Sequence, residues 1–446
     1  MSEDESPDLN EILKLAIKGN ASDIHLKAGL PPLFRIDGSL LPVRDGDRLT
    51  PSHTREMAAQ IMSADQKKKF NEEMDLDLSY GIPGVGRFRV NAFQQRGNIG
   101  LVFRVIPYKV KPIEELHLPP IVKSLAKERR GLILATGATG SGKSTTLAAM
   151  IDHINKSRTA HIVTIEDPIE YLIRDKRSIV NQREIGTDAK NFKRALRAAL
   201  RQDPDIIMLG ELRDHETMEI ALTAAETGHL VMSTLHTTDA ADAVNRMVTS
   251  FPPHQRDQAR YQFANLFKGV IAQRLVPRAD DDGRVPAVEV MVSTGRIRDL
   301  ILEEATSRTI TEQISEGVDT YGMQVFDQSL MKLLQQGLIT YEEALALSTN
   351  PDDFKLKLKG VDSASAQNTE LDGYQSENTA SSGHHSLDPD ETRNSGGQQS
   401  VGQSSGQRSL RQSSSHQSVG QTNSQSRQSS SSDDEFDVDD FEFENG

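Results

Sequence analysis

The stretch "GATGSGKS", Gly137 to Ser144, carries the residue types needed to hold a triphosphate. It fits the pattern G-x-x-x-x-G-K-[ST]. Glycines let such a loop curl until its N–H groups point inward at phosphate oxygens, and a helix starting behind it adds partial positive charge. The expected nucleotide contacts are Gly137, Ala138, Thr139, Gly140, Ser141, Gly142, Lys143, Ser144 and Thr145. Lys143 would reach the β- and γ-phosphates, and the Ser144 hydroxyl would take one position on Mg2+. The apolar run "GLILAT" precedes the loop and an Ala/Leu-rich helical pattern follows it, which is the context the motif needs.

Hydrolysis also needs a carboxylate that can polarise water, and "RQDPDIIMLGELRD" offers Asp205 and Glu211 at the two ends of an apolar run. In open parallel sheets, ligands sit at the carboxyl ends of the strands. Six residues of strand span roughly 20 Å. Asp205 therefore falls at the far edge, in a structural role, capping or pairing with a nearby arginine. Glu211 falls at the phosphate edge, as the candidate to polarise the attacking water. In "HIVTIEDPIEY", Glu166 and Asp167 also follow an apolar strand, with Pro168 as its stop. Glu166 either orients water or reaches Mg2+ through water, or it belongs to an acid pair that stabilises the turn. Glu170 carries less weight. His229 and His236 bracket "LVMSTL". Strand direction puts His236 at the phosphate edge, as a γ-phosphate sensor or a coupler to a neighbouring subunit, and His229 at the far edge. A histidine at a strand end is also commonly just a hydrogen-bonded structural group. A zinc pair is not expected, because the two rings stand too far apart along the strand.

These residues need a parallel sheet to position them, and the pattern supplies one. "GLILAT", "HIVTIE", "DIIMLG" and "HLVMSTLH" are short apolar runs without clear alternation, as in strands covered on both faces. Helical patterns such as "KSTTLAAMIDHIN" and "HETMEIALTAAET" lie between them. The expected organisation is an α+β domain over 1–107, a Pro/Lys-rich linker at 108–118, and an α/β domain over 119–360. Past about Pro252 that domain reads as mainly helical, with one hairpin at "QRLVPRADDDGRVPAVEV". In 1–107, "LNEILKLAIKGN" has helical spacing, "DIHLKAGLPPLFRIDGSLLPV" reads as hairpin-rich, and two alternating strands, 88–95 and 99–106, flank Arg96-Gly97-Asn98.

From about Val361 the chain is Ser/Gln/Gly-rich, with QSVGQ at both 399–403 and 417–421. Such a segment buries too little apolar surface to offset chain entropy and is expected to be disordered. Its end, "DDEFDVDDFEFENG", is either a solvated acidic terminus or a docking peptide that sets aromatics into a basic-rimmed groove. His384 and His385 lie in this tail and carry no expected role.

Composition removes several classes. There is no cysteine, hence no disulfide, Cys-bound zinc, thiol catalysis or iron–sulfur cluster. The net charge of −14 argues against broad binding to nucleic acid or anionic lipid. The acidic N-terminus lacks the apolar core of a secretory signal, and no apolar run approaches the ~20 residues that span a bilayer. A soluble, cytoplasmic protein is expected.

"GATGSGKSTT", "IEDPIEY", "RAALRQDPDIIMLGELRD" and "AAETGHLVMSTLHTTDA" resemble the Walker A, Asp box, Walker B and His box of the secretion-superfamily hexameric ATPases. "ASDIHL", "GRFRVNAFQQRGNIGLVFRVIP" and "GMQVFDQSL" are similar to one branch, the type IV pilus retraction ATPases (PilT/PilU-like). The resemblance covers residues 1 to about 360. It implies a RecA-like parallel-sheet P-loop ATPase domain, a smaller α+β PAS-like N-terminal domain, a helical C-terminal subdomain, and assembly as a homo-hexamer. It implies Glu211 as catalytic glutamate, Glu166 as the Asp-box acid, and His229 and His236 as the His-box pair. It places Arg87, Arg89, Arg96 and Arg104 where arginines of the N-terminal domain reach the nucleotide, Arg104 and Arg89 being favoured; a strand-face salt bridge is the other reading for each. Lys143 and Ser144 match the phosphate and Mg2+ positions, with Mg2+ as cofactor and ATP as substrate.

The implied activity is ATP-driven retraction of a type IV pilus, with twitching motility as its outcome. It is performed from the cytoplasm at the pilus base, against an inner-membrane platform protein and beside a paralogous retraction ATPase, with no nucleic acid involved. The chain departs from the family's "AIRNLI" motif: "GRIRDLI", 295–301, carries Arg296 and Asp299 there. That leaves an accessory, PilU-like motor as an alternative, beside a weakly hydrolysing nucleotide-sensing scaffold acting through its tail. Assembly and type II secretion ATPases typically carry four zinc-binding cysteines and an extra N-terminal domain. This chain has no cysteine, and no room is expected before Ser22.

Overall fold

The computed structural model describes residues 7–44, 46–280 and 283–360. The Ser/Gln-rich tail, His384, His385 and the acidic–aromatic end lie outside the described residues.

The first part of the chain builds an antiparallel sheet from β1 (Asp23–Lys27), β2 (Leu33–Ile36), β3 (Ser39–Pro42), β4 (Asp75–Ile82), β5 (Gly86–Gln95) and β6 (Asn98–Ile106). The strand order is β3-β2-β1-β6-β5-β4. Inward residues alternate along β5, where Phe88, Val90 and Ala92 are buried, as a sheet with one covered face requires. Helices Leu9–Lys18 and Pro51–Ile61 contribute Leu9, Leu13, Met57 and Ala58 to the same core. Phe88 and Phe103 meet edge to face, with ring centroids 6.1 Å apart. The β5–β6 turn is tight: Arg96 (φ 51°) and Gly97 (φ 76°) are both left-handed. That is the backbone a two-residue hairpin needs to match the strand twist.

The second sheet contains β7 (Gly131–Thr136), β8 (His161–Glu166), β9 (Ile179–Glu184), β10 (Ile206–Leu209), β11 (Leu230–Leu235), β12 (Phe267–Pro277) and β13 (Arg284–Val292). Its order is β13-β12-β7-β11-β10-β8-β9. All neighbours run parallel except the β12–β13 pair. Every residue of β7, β10 and β11 is buried, which explains their unbroken apolar runs. Successive residues feed opposite faces. Leu132 and Leu134 pack with helices His215–Glu226, Ala240–Thr249 and Arg256–Leu266. Ile133 and Ala135 pack with Leu147, Met150 and Ile154 of helix Lys143–Ser157.

Two features depart from the sequence reading. The hairpin past Pro252 is not an island in a helical region: β12 pairs with β7 and extends the main sheet. The helical part proper begins at Gly295 and runs to Leu358, with Phe326 and Leu330 packed on Val276 and Val285. β9 was not foreseen either. Its sequence, "IVNQRE", is mostly polar because it is an edge strand, and Ile179 and Asn181 are exposed. The Pro/Lys-rich stretch 108–118 joins the two sheets, yet Ile113 and Leu118 are buried against the second one.

Candidate active site

The turn after β7 is shaped by close approach. A Cβ on Gly137 would stand 2.4 Å from the Gln273 carbonyl oxygen of β12, and its φ of 141° is one that residues with a side chain rarely adopt. Gly142, with φ 94°, sits at the N-cap of helix Lys143–Ser157. No side chain caps that end, so its first N–H groups face the loop opening. The Lys143 Nζ donates to the Gly137 and Ala138 carbonyls at 2.8 and 2.9 Å. Burial lowers the Lys143 ammonium from its ordinary value, and the charge of Glu211 works in the other direction. The Ser141 hydroxyl is buried without a hydrogen-bond partner.

A cavity of about 790 Å³ opens beside this turn, within the size range of small-molecule sites. Thr139, Gly140, Gly142, Lys143, Ser144 and Thr145 form one wall. Glu166, Glu170, Glu211 and His236 stand on another, and Arg89 and Arg104 of the first sheet reach it from across the opening.

Strand polarity explains which residues converge. β7, β8, β10 and β11 run parallel, so residues after Thr136, Ile165, Leu209 and Leu235 share one rim. Glu211 and His236 are both on it. The Glu211 carboxylate receives an Arg213 Nη2 hydrogen bond at 3.1 Å and a second bond from Arg213 Nε. His236 Nε2 lies 3.3 Å from it. Burial pushes the Glu211 carboxyl up, but Arg213 and His236 outweigh that and hold it below its ordinary value of 4.5.

The far rim collects the residues that strand direction sends there. The Asp205 carboxylate accepts the His161 backbone N–H at 2.8 Å, tying the starts of β10 and β8. His229 precedes β11, and its Nδ1 lies 2.8 Å from the Ala224 carbonyl. Within one chain His229 stands on the far rim, where strand direction sends it, and does not line the cavity, so it lacks the catalytic place that the family resemblance implied for it beside His236. The four expected arginines also separate. Arg89 and Arg104 line the cavity, and Arg104 Nε also donates to Asp23 at 3.0 Å. Arg87 binds Glu184, and Arg96 sits at the β5–β6 turn beside Lys27, away from the cavity.

Glu166 is less available than expected. It is only 7% exposed. Its carboxylate accepts from Thr164 Oγ1 at 2.7 Å, Gln182 Nε2 at 3.1 Å and the Glu170 amide at 3.4 Å. Burial raises its carboxyl above the ordinary value against those three hydrogen bonds, and the charge of Glu170 adds to the rise. Asp167 and Glu170 are the exposed acids of this loop, and both line the same cavity.

The donor set here is hydroxyl and carboxylate oxygen, which suits Mg2+. Among the described residues no cluster of three His, Cys, Asp or Glu could hold a metal. An ion beside Ser144 would take the remainder of its shell from phosphate and water, the usual habit of Mg2+ at such sites.

Sequence reasoning missed Arg213, Glu184 and Glu289. Arg213 stands two residues beyond Glu211, and that spacing was its only signal. Glu184 binds residues about a hundred positions away, and no local pattern announces such a pair. Glu289 sits in an otherwise apolar run of β13. It is buried and accepts the Ala240 amide at 2.8 Å, fixing the start of the helix after His236.

A family description, Type II/IV secretion system protein, matches residues 3–337. The chain is 45% identical over 350 residues to the type IV pilus retraction ATPase PilT of Pseudomonas aeruginosa, covering 78% of this chain and 100% of that protein. It is 41% identical over 352 residues to the type IV pilus ATPase PilU of the same organism, covering 79% and 91%. A crystal structure of the pilus retraction motor PilT with bound ADP superposes with a TM-score of 0.71 at 48% identity, covering 77% of this chain and 98% of that one.

Proposed function

Because the chain belongs to the type II/IV secretion system protein family, we propose that it is a Mg2+-dependent ATPase that works as a homo-hexameric ring and retracts a type IV pilus. The observation that carries the reading is the shared rim: the glycine turn ahead of Lys143 and the carboxylate of Glu211 open onto one cavity.

In this mechanism the triphosphate lies along the loop N–H groups, with Lys143 and the helix N-terminus offsetting its charge. Ser144 would help hold Mg2+, which neutralises phosphate charge when bound. Glu211, ionised, accepts a proton from water as its oxygen attacks the γ-phosphorus; the bond to the β-phosphate oxygen breaks and ADP leaves. Arg213 and His236 hold the Glu211 carboxylate in place. Glu166 orients the loop that presents Glu170. Arg89 and Arg104 bring positive charge to the phosphates from a separate sheet, so their arrival reports where that sheet stands. Closure of the sheet over the nucleotide, passed from subunit to subunit, converts hydrolysis into displacement. The ring would act from the cytoplasm on an inner-membrane platform protein at the pilus base.

A second reading, an accessory PilU-like motor, has one observation in its favour. Arg296 and Asp299, which depart from the "AIRNLI" pattern, are both exposed, whereas Ile297, Leu300 and Ile301 are buried. The departure thus alters a surface and leaves the core packing of that helix apolar. Restoring a deletion strain separates the readings. Lys143→Ala is expected to abolish ATP hydrolysis and fibre retraction when no second motor is present. Retraction that survives in that background counts against this chain as the motor. If wild type restores retraction only alongside a paralogue, the accessory reading replaces the primary one.

A further inference from the structure

One buried carboxylate outside the proposed chemistry is held by three parts of the chain at once. Glu184 closes β9 and is 4% exposed. One of its oxygens accepts from the Ser79 hydroxyl of β4. The other accepts from Arg87 Nη2 of β5 at 3.2 Å and from the Ile169 backbone N–H at 3.2 Å. The first two partners belong to the antiparallel sheet, and the third to the loop between Glu166 and Glu170.

Register shows what this grip controls. Ser79 pairs with Arg89 across β4 and β5, and Arg89 pairs with Arg104 across β5 and β6. Arg87 and Arg89 are two apart on one strand, so they share a face. That face therefore carries Ser79 and Arg87, fastened to Glu184, beside Arg89 and Arg104, which line the cavity. On the other side, Pro168, Ile169 and Glu170 line the same cavity. A buried ion pair gains little net stability after desolvation, and its best-attested use is fixing register. The Arg87 Nε is buried and has no hydrogen-bond partner among the described residues, so part of the guanidinium's desolvation is left uncompensated and the pair is a poor source of stability.

We propose that Glu184 is a positioning residue: it couples the stance of the antiparallel sheet to the Glu166–Glu170 loop, so that Arg89 and Arg104 face the nucleotide only when that loop is set. The proposal rests on the ATPase reading above. It adds a link between two groups of nucleotide contacts that would otherwise move independently.

The test uses the full chain, with wild type, Arg87→Ala, Glu184→Gln and the double variant. Glutamine keeps an oxygen for the Ile169 N–H and removes the charge that Arg87 needs. Each single variant is expected to lower kcat/KM for ATP by about tenfold, and the double variant to lose no more than the worse single. Because the chain has no cysteine, a fluorophore pair at S52C and T249C reads the sheet-to-sheet distance in otherwise unlabelled assemblies with ADP. Wild type is expected to give one narrow distribution, and Glu184→Gln a broadened one. A merely structural Glu184 would lower the melting temperature and leave kcat/KM and the distance distribution of the folded protein at wild-type values; that result overturns the proposal. If the wild-type chain fails to turn over ATP, the ATPase reading falls, and the distance arm decides alone. Broadening then supports the coupling, and an unchanged distribution overturns it.

Discussion

Glu211 is ionised at neutral pH because its contacts with Arg213 and His236 outweigh the cost of burying it. The sign of its pH dependence follows. Its folded pKa lies below its ordinary value of 4.5, so the stabilisation from these contacts is complete above that value and is lost as pH falls through the folded pKa. As a general base it follows the same course. The kcat–pH profile should show an acid limb with its midpoint below 4.5, reading on protein that circular dichroism shows to be folded. A midpoint near 6 to 7 that persists in Glu211→Gln would assign the base to another group. This residue and its rim were legible in the sequence, since a glycine turn fixes the working edge and an apolar run fixes strand polarity. Arg213 was not, because nothing local distinguishes it from any exposed arginine near an acid. Nor was the enclosure of Glu166, which depends on Thr164 and on Gln182 from a strand that composition did not reveal.

Among the elements, the β12–β13 hairpin carries a cost that pH can remove. Glu289 of β13 is buried, and its carboxyl is pushed up to about 7. Burial and the Asp239 charge raise it, while the Ala240 and Phe326 amides and the Arg274 charge pull it down. The folded state therefore prefers the protonated form. Its contribution to stability is full below the unfolded value of 4.5 and declines as pH rises to about 7. The span between those values corresponds to about 3 kcal/mol as an upper figure. Glu289→Gln keeps an acceptor for the Ala240 N–H and has no charge to bury. Thermal unfolding followed from pH 5 to pH 8 should show a flatter dependence in the variant, with its gain over wild type growing toward pH 8. An unchanged slope would mean that Glu289 stays neutral, or is otherwise compensated, throughout that range. The parallel strands could be read from sequence because burial on both faces leaves unbroken apolar runs. β9 could not, because an edge strand with exposed Ile179 and Asn181 has the composition of a loop. The addition of β12 to the sheet was hidden for another reason: pairing partners more than a hundred residues apart leave no local trace.

On the scale of the whole molecule, the described helices end at Leu358, where Phe354 is buried against the β12–β13 hairpin. Truncation after residue 365 keeps that contact. ATP turnover and melting temperature of the shortened protein should match the full chain; a loss of folding would give the Ser/Gln-rich segment a structural part. The two sheets come from one chain and meet around one cavity, and this convergence makes the protein a candidate motor instead of a nucleotide store. It was implied by the resemblance of the motifs, while the contacts that build it, such as Arg104 with Asp23 and Arg87 with Glu184, join residues too far apart along the chain to leave a local pattern. The most direct measurement of the central claim is ATP binding and ATP turnover on the same preparations of wild type and Glu211→Gln. The account predicts that both bind ATP with similar affinity, that wild type hydrolyses it, and that the variant loses at least a hundredfold in kcat, about the cost of removing a general base. Wild-type turnover in Glu211→Gln, or background turnover in both with binding intact, would contradict it.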